Sequence, residues 1–410
     1  MFSNSVASFP RVGGSPGICT LCGLLCDLRV PQSKQCNRLN QWLAEAPSPV
    51  PEKPRSDVSQ RLARVKLDAG TLIWLDACDV QTTRAAVRLA RQVGATIHVG
   101  QSAGSHAVKS VIASDGWLGT TLSELSARAE LIVTLGDGVL RQAPLLAERF
   151  FQSPARAVQP YWIHISMSQH VSDVVLAGQA SGSELCVTPH NWIHWPREQW
   201  FENLTQLALA LQPSASQVTL STESTITNLS ASLHACKQSV WLWDVDDMHF
   251  HADELILRRI LSMARCLSEW ARCALLPLDL NIGRVTAEET LLWLTGCPTT
   301  ATWSGNHWYR SPRYVGSSLE QLSAEFSSIV LVQSLASEQA LPNLLTDLTI
   351  KTSPPKQPQE VQVAAVGRDC SGHLFRGDRG TVLYVEATSS SDLPTAAQLL
   401  TQLTENAVAN

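Results

Sequence analysis

Four thiols near the start of the chain carry its most specific chemical signal. Cys19-Thr-Leu-Cys22-Gly-Leu-Leu-Cys26 is a C-x2-C-x3-C run, and Cys36 follows after nine residues. Thiolates this close can reach one centre only if the loop folds back on itself, and Gly23 permits the tight turn. Four thiolates suit a 4Fe–4S cluster or a tetrahedral zinc ion. The three-residue gap between Cys22 and Cys26 favours the cluster, because a zinc ribbon would want a second C-x2-C. The plainer account is four reduced cysteines in a partly buried loop that bind nothing.

Three other groups could do chemistry. Asp244-Val-Asp246-Asp247-Met-His249-Phe-His251 places three carboxylates and two imidazoles in eight residues, a set that could hold a divalent metal. It lacks a recognised ligand spacing, so a strand end running into a helix near Ala252 is the better account, with the acids placed for the helix dipole. Gly136-Asp-Gly138 after a strand lacks the rest of a phosphate-binding glycine fingerprint and reads as a plain strand-to-helix turn. Ser105-His106 could be a nucleophile and base, but adjacent residues rarely face each other as a triad requires. Trp303, His307, Trp308 and Tyr309 read as an aromatic cluster of core or interface type.

The elements that must position these groups alternate. Apolar runs at Thr71 to Leu75, Ala95 to Val99, Leu131 to Leu135, Tyr161 to Ile165, Val240 to Asp244, Cys273 to Pro277, Ile329 to Val332 and Val361 to Val366 are strand candidates. Helical spacing appears at Leu39 to Leu43, Thr82 to Val93, Leu122 to Ala129, Ala252 to Trp270 and Pro394 to Val408. Apolar strands alternating with helices argue an α/β protein whose parallel sheets are covered on both faces. The expected division is a flexible leader at 1–17 and a cysteine lobe with a Pro-rich linker (Ala46 to Pro54) at 18–54. Two α/β lobes follow at 55–213 and 214–352, then C-terminal strands and a helix at 353–410. The Ser/Thr-rich stretch Ser214 to Asn228 is expected to bridge the two lobes, and a Pro-rich loop, Ser353 to Pro358, precedes the last strands.

Composition excludes several classes. The net charge is −5 with no Lys/Arg run, so nucleic-acid binding has no electrostatic support. No run of 18 apolar residues exists, and residues 1–17 lack the basic and apolar regions of a signal peptide, so no membrane partner and a cytoplasmic location are expected. Eleven Cys in 410 residues, clustered at one end, fit a reduced protein with a metal site better than a disulfide scaffold. Only 16% of residues are charged and 13 are Trp, which suits a chain that buries part of its surface against partners.

Ile18 to Asp27 resembles the opening of the metal–pterin subunit of formylmethanofuran dehydrogenase, which belongs to a molybdopterin oxidoreductase-like family. Cys36-Asn-Arg stands where that family has its fourth cysteine, after a hairpin that is shorter here. Gly104-Ser-His106 and Thr120 to Gly136 are similar to its first α/β unit. Leu276 to Asn281, Trp293 to Pro298, Ser311-Pro-Arg-Tyr314 and Gly372 to Asp378 follow in the same order, so the likeness runs over residues 18–386. It implies two α/β lobes behind a small cysteine-bearing lobe. It also implies a possible 4Fe–4S cluster on Cys19, Cys22, Cys26 and Cys36, beside a molybdenum or tungsten bis-pterin held by a cysteine with a neighbouring histidine. Ser105-His106 matches that pair, and a hard serine oxygen is a poor substitute for a soft thiolate, so the pair looks degenerate and the bis-pterin lost. The family's basic residue in the block around Asp279 is also missing. These departures favour the bacterial relative, the formyltransferase/hydrolase complex linked to tetrahydromethanopterin and methanofuran, with this chain as a non-redox subunit among catalytic partner subunits. The rival expectations are a catalytic redox subunit with metal–pterin and cluster, and a zinc-stabilised adaptor.

Overall fold

The computed structural model describes residues 18–27, 36, 56–152, 158–169, 188–212, 224–247, 253–310, 317–335, 346–389 and 391–409. Short runs of Val, Ile, Leu and Trp form its sheets, because branched and aromatic side chains pack well on a pleated surface. Seven strands make one sheet: β1 (Thr71–Ala77), β2 (Thr96–Val99), β8 (Thr300–Ser304), β9 (His307–Tyr309), β10 (Ser328–Gln333), β11 (Leu348–Lys351) and β12 (Glu360–Gln362). Their spatial order is β12-β11-β10-β1-β2-β8-β9. The first five in that order run parallel, and β8 and β9 add antiparallel at one edge. A second sheet, wholly parallel, holds β3 (Leu131–Leu135), β4 (Tyr161–Ser166), β5 (Asn191–His194), β6 (Gln238–Asp244) and β7 (Arg272–Leu278) in the order β5-β4-β3-β6-β7. β13 (Gly372–Phe375) and β14 (Val382–Val385) form an antiparallel hairpin.

Both large sheets are covered on both faces, as expected of an α/β protein with parallel sheets. On β1 and β10, Ile73, Leu75, Val330 and Val332 join one core, while Leu72, Trp74, Ile329 and Leu331 join another across the sheet. That is the two-residue alternation of strand side chains. The first core is closed by α1 (Ser56–Arg64), α2 (Val80–Val93), α9 (Ile282–Thr295) and α11 (Ala396–Ala409). The other helices are α3 (Ala103–Asp115), α4 (Leu122–Arg128), α5 (Gly138–Gln142), α6 (Trp200–Ala210), α7 (Ser224–Ala235), α8 (Asp253–Leu267) and α10 (Leu319–Ser323). Helices α3, α6, α7 and α8 cover one face of the second sheet; α4, a π-helical turn at Ala147–Phe151 and the cysteine loop cover the other.

Local chemistry sets the helix starts. The Asp79 side chain accepts from the N–H groups of Gln81 and Thr82 at the start of α2, and Ser102 accepts from Ser105 N–H at the start of α3. Asn281 accepts from Arg284 N–H before α9. Each such cap is worth about 1 kcal/mol.

Three expectations shift. The strand expected at Val361 to Val366 stops at Gln362, because Ala364 N–H turns to Pro394 O and Val366 N–H to Ser334 O. Of Ser214 to Asn228, residues from Ser224 onward begin α7, and the stretch lies between β5 and β6 of one sheet, so it does not bridge two lobes. The boundary at 213/214 therefore falls inside the second sheet, while the first sheet takes strands from 71–99 and from 300–362. Leu39 to Leu43, Ala46 to Pro54, the leader and Ser311 to Tyr314 lie outside the described residues.

Candidate functional site

In open parallel sheets the crevice at the carboxyl ends of the strands, where the strand order reverses, is the usual place for a site. The first sheet reverses between β1 and β10 and the second between β3 and β6. At the first crevice, Ser334 Oγ donates to Asp79 Oδ1 at 3.0 Å and accepts from Asp79 N–H at 3.0 Å. Gln333 Nε2 donates to Asp76 Oδ2 at 3.1 Å, and burial pushes the Asp76 carboxyl up. Helix α9 seals this end: a Cβ on Gly283 would lie 2.5 Å from Ala77 Cα, so only glycine allows the approach. At the second crevice the Asp247 carboxylate accepts from Gly138 N–H and stands 3.6 Å from Arg141.

Between the crevices lies a buried ionic network built on α9. Arg284 and Glu288 are one helical turn apart and both buried. Arg284 grips Asp279 with two bonds, Nε to Oδ2 at 2.9 Å and Nη2 to Oδ1 at 2.7 Å, and reaches Asp246 Oδ1 at 2.9 Å. Burial alone would depress this guanidinium; Asp279 and Asp246 outweigh it and raise its pKa further. The fully buried Glu288 carboxylate takes Gln101 Nε2 at 3.1 Å and Lys109 Nζ on Oε1, and Arg379 Nη2 at 2.8 Å on Oε2. Arg379, at a left-handed φ of 58°, also meets Glu289. Burial works to raise the Glu288 carboxyl, yet Lys109 and Arg379 overcome it and hold it at about 2. Lys109 answers differently, because burial takes its ammonium down to about 8 despite the Glu288 charge. The cations around the acid outweigh its desolvation, whereas the carboxylates near the lysine do not outweigh that of the ammonium.

Ser105 and Lys109 lie one turn apart on α3, and Gln101 precedes its cap residue Ser102. Ser105 thus falls in sequence between the two residues that hold Glu288. Its Oγ is buried and, among the described residues, has no hydrogen-bond partner; the same holds for Gln101 Oε1 and His98 Nε2. His98 Nδ1 pairs with Thr300 Oγ1 at 2.8 Å, and burial lowers the imidazole to about 4, so it is neutral at physiological pH. His106 is half-buried, its pKa lowered by burial, with Glu254 opposing and Lys109 and Arg310 assisting. With Ser105 Oγ unpartnered, the adjacent serine and histidine do not form a nucleophile–base pair.

The cysteine loop does fold back as its spacing requires. Cys19 N–H donates to Cys26 O at 2.8 Å, and Ile18 pairs antiparallel with Asp27. Leu25 takes φ 50°, and Gly23 lies so close to Gly377 that a Cβ would stand 2.8 Å from its Cα. Gly377 N–H donates to Gly23 O at 2.7 Å, and Arg149 Nη1 donates to Leu24 O at 2.9 Å. Cys19, Cys22, Cys26 and Cys36 share one buried cluster with Leu24, Leu276, Leu278 and Leu280. Burial raises the Cys26 thiol, Arg149 draws it back, and Cys36 pushes it up again. Among the described residues no group of three or more His, Cys, Asp or Glu side chains is arranged to hold a metal ion. The loop thus gathers the four cysteines in one buried place, with Arg149 and Cys36 both acting on the Cys26 thiol.

At the second crevice an anion at the Gly138 turn would meet the Asp247 carboxylate. In the Asp244 run, Asp246 pairs with Arg284 and Asp247 with Gly138, while burial, together with the charges of Asp246 and Asp247, raises the Asp244 carboxyl well above its usual range. His249 and His251 lie outside the described residues. Gly136-Asp-Gly138 forms the expected turn from β3 into α5, with Asp137 accepting from Ser166 Oγ at 2.7 Å and paired with His164 Nε2 at 3.1 Å. Trp303 and Trp308 meet edge to face at 5.2 Å on the β8–β9 hairpin. Sequence reasoning misses Lys109, Arg284, Glu288 and Arg379. The available signal is the Arg-x3-Glu pair in a helix whose only other charged residue is Glu289.

No protein-family model matches the sequence, and no curated protein matches it. Solved structures do match, 37 chains in all. One comes from the formyltransferase/hydrolase complex (FhcABCD) of Methylorubrum extorquens in complex with methylofuran. Its TM-score is 0.66 at 19% sequence identity, covering 88% of this chain and 98% of that chain. The likeness establishes the fold.

Proposed function

We propose that this chain is the counterpart, in a formyltransferase/hydrolase complex, of the metal–pterin subunit of formylmethanofuran dehydrogenase. It acts in the cytoplasm, in the tetrahydromethanopterin- and methanofuran-linked conversion of formaldehyde to formate. Its part is that of a non-redox scaffold, and partner subunits carry the chemistry. The observation that carries this reading is the near full-length backbone likeness to one chain of such a complex. The centre of the fold supports the scaffold role. Charged side chains neutralise one another there: Arg284 with Asp279 and Asp246, and Glu288 with Lys109 and Arg379. In the resemblance Ser105 matches the family's thiolate ligand, a poor substitution for a soft metal, and the Asp247 carboxylate already holds the Gly138 turn.

Co-expression with the three companion subunits, followed by affinity purification and metal and pterin analysis, tests it. The expected result is a four-subunit complex that hydrolyses formylmethanofuran to formate and contains neither molybdenum, tungsten nor pterin. Purification of this chain alone, with full hydrolysis by the other three, would refute it. The gathering of four cysteines in one buried cluster favours a second reading, a redox subunit with cluster and metal–pterin. About four irons per chain with tungsten or molybdenum would establish that reading instead.

A further inference from the structure

The end of α9 leaves three successive apolar side chains in solvent: Leu292 at 38%, Trp293 at 62% and Leu294 at 43% exposure. The Trp293 ring meets Phe375 edge-on at 4.7 Å, and Phe375 is itself buried beneath it. The pairing of Phe375 with Val382 and of His373 with Tyr384 puts these residues on one face of the β13–β14 hairpin. Val382 and Tyr384 are exposed there too. Helix α2 packs against both α9 and β13. Its solvent side carries Arg84, Arg88 and Arg91 at i, i+4 and i+7, and its own sequence has no Asp or Glu. Arg91 lies over the Trp303 ring at 4.9 Å; among the described residues Arg84 and Arg88 make no ion pair. The nearest acids of α9, Glu288 and Glu289, are already taken by Lys109 and Arg379.

We propose that this face docks a different protein chain, one that presents an apolar pocket for Trp293 rimmed by carboxylates for the arginine row. Exposed Trp, Tyr and Arg together are the composition of binding hot spots, and isolated chains seldom leave such a patch in water. Charge decides the class of partner. The protein as a whole is at −5, yet this helix is purely cationic, so the complementary surface is acidic. A second copy fits badly, because a two-fold pairing places the same patch on both sides and brings two arginine rows together.

The proposal rests on the complex reading above, and the test separates the two. The wild-type chain is oxidatively footprinted alone and within the reconstituted complex. R84E/R88E and W293S chains are titrated with the companion subunits, with circular dichroism as a check on folding. The expected result is strong protection of Trp293 and Tyr384 in the complex, and at least about tenfold weaker binding by either variant. Wild-type binding should weaken as salt rises, and R84E/R88E binding less so. A complex that assembles with Trp293 still labelled as in the free chain overturns the docking face alone. Protection of Trp293 in the isolated chain through self-pairing, or only on anionic vesicles, overturns it as well. A wild-type chain that never assembles refutes the complex reading, and this proposal with it.

Discussion

Glu288 is the residue whose loss the fold should tolerate least. It is fully buried and holds Gln101, Lys109 and Arg379 around one carboxylate. A carboxyl held at about 2 instead of 4.5 contributes about 3 kcal/mol. Because the folded pKa is depressed, that stability is fully present above pH 4.5 and is lost as the pH falls towards 2. Glu288→Gln keeps the shape but strands two half-buried cations, so a loss of about 2 to 4 kcal/mol is expected at pH 7. Lys109→Met should cost less, under about 2 kcal/mol, because burial already penalises this ammonium and Arg379 still holds the acid. The double variant should be more stable than the sum of the two losses predicts, since removing both charges also removes the desolvation cost. Urea unfolding of all four proteins at pH 7, and of wild type and Glu288→Gln down to pH 3, measures each quantity. A Glu288→Gln protein within about 0.5 kcal/mol of wild type, or strict additivity, would refute the buried network.

Gly283→Ala should destabilise by about 1 to 3 kcal/mol in the same assay, because its Cβ would collide with the Ala77 backbone and lift α9 from β1. At the second crevice, Gly138→Ala drives a Cβ into the Asp247 carboxylate; Asp247→Ala should rescue part of the loss, and simple additivity of the two would contradict the contact. His98 is held neutral with a pKa of about 4 against 6.5, so the unfolded chain takes up its proton first and stability should fall between pH 6.5 and 4. His98→Gln should flatten that part of the pH dependence, and an unchanged slope would show the imidazole to be accessible. Cys26 is buried and its thiol raised, so at pH 7.5 iodoacetamide should modify it far more slowly in the native chain than in urea; equal rates would disprove the packed loop.

Much of the fold was legible because its signals are local. The apolar runs at 71–75, 131–135 and 240–244 became strands with ends moved by no more than two residues. The Thr82 to Val93 spacing became α2, and the Gly136-Asp-Gly138 turn formed as read. Sheet membership was not legible, since a run such as Thr300–Ser304 carries no record of pairing antiparallel with a strand two hundred residues earlier. The same limit hid the way both ends of the chain contribute to one sheet. Chemistry fared similarly: spacing identified the cysteine loop and its reversal, but its packing on Leu276, Leu278 and Leu280 comes from residues far along the chain.

Residue order by itself therefore determined the α/β class, the helix over Thr82 to Val93 that Asp79 caps, and the folded-back loop around Gly23, while the helices that Ser102 and Asn281 cap were not read from it. Each feature so determined depends on side chains within a few positions of one another, where chain connectivity already limits the geometry. Only the tertiary structure decided that Arg284 would meet Asp246, that Glu288 would draw in Lys109 and Arg379, and that Asp247 would close the Gly138 turn. Those partners lie 38 to 179 residues apart, and charges so separated interact strongly only after folding has removed the water between them.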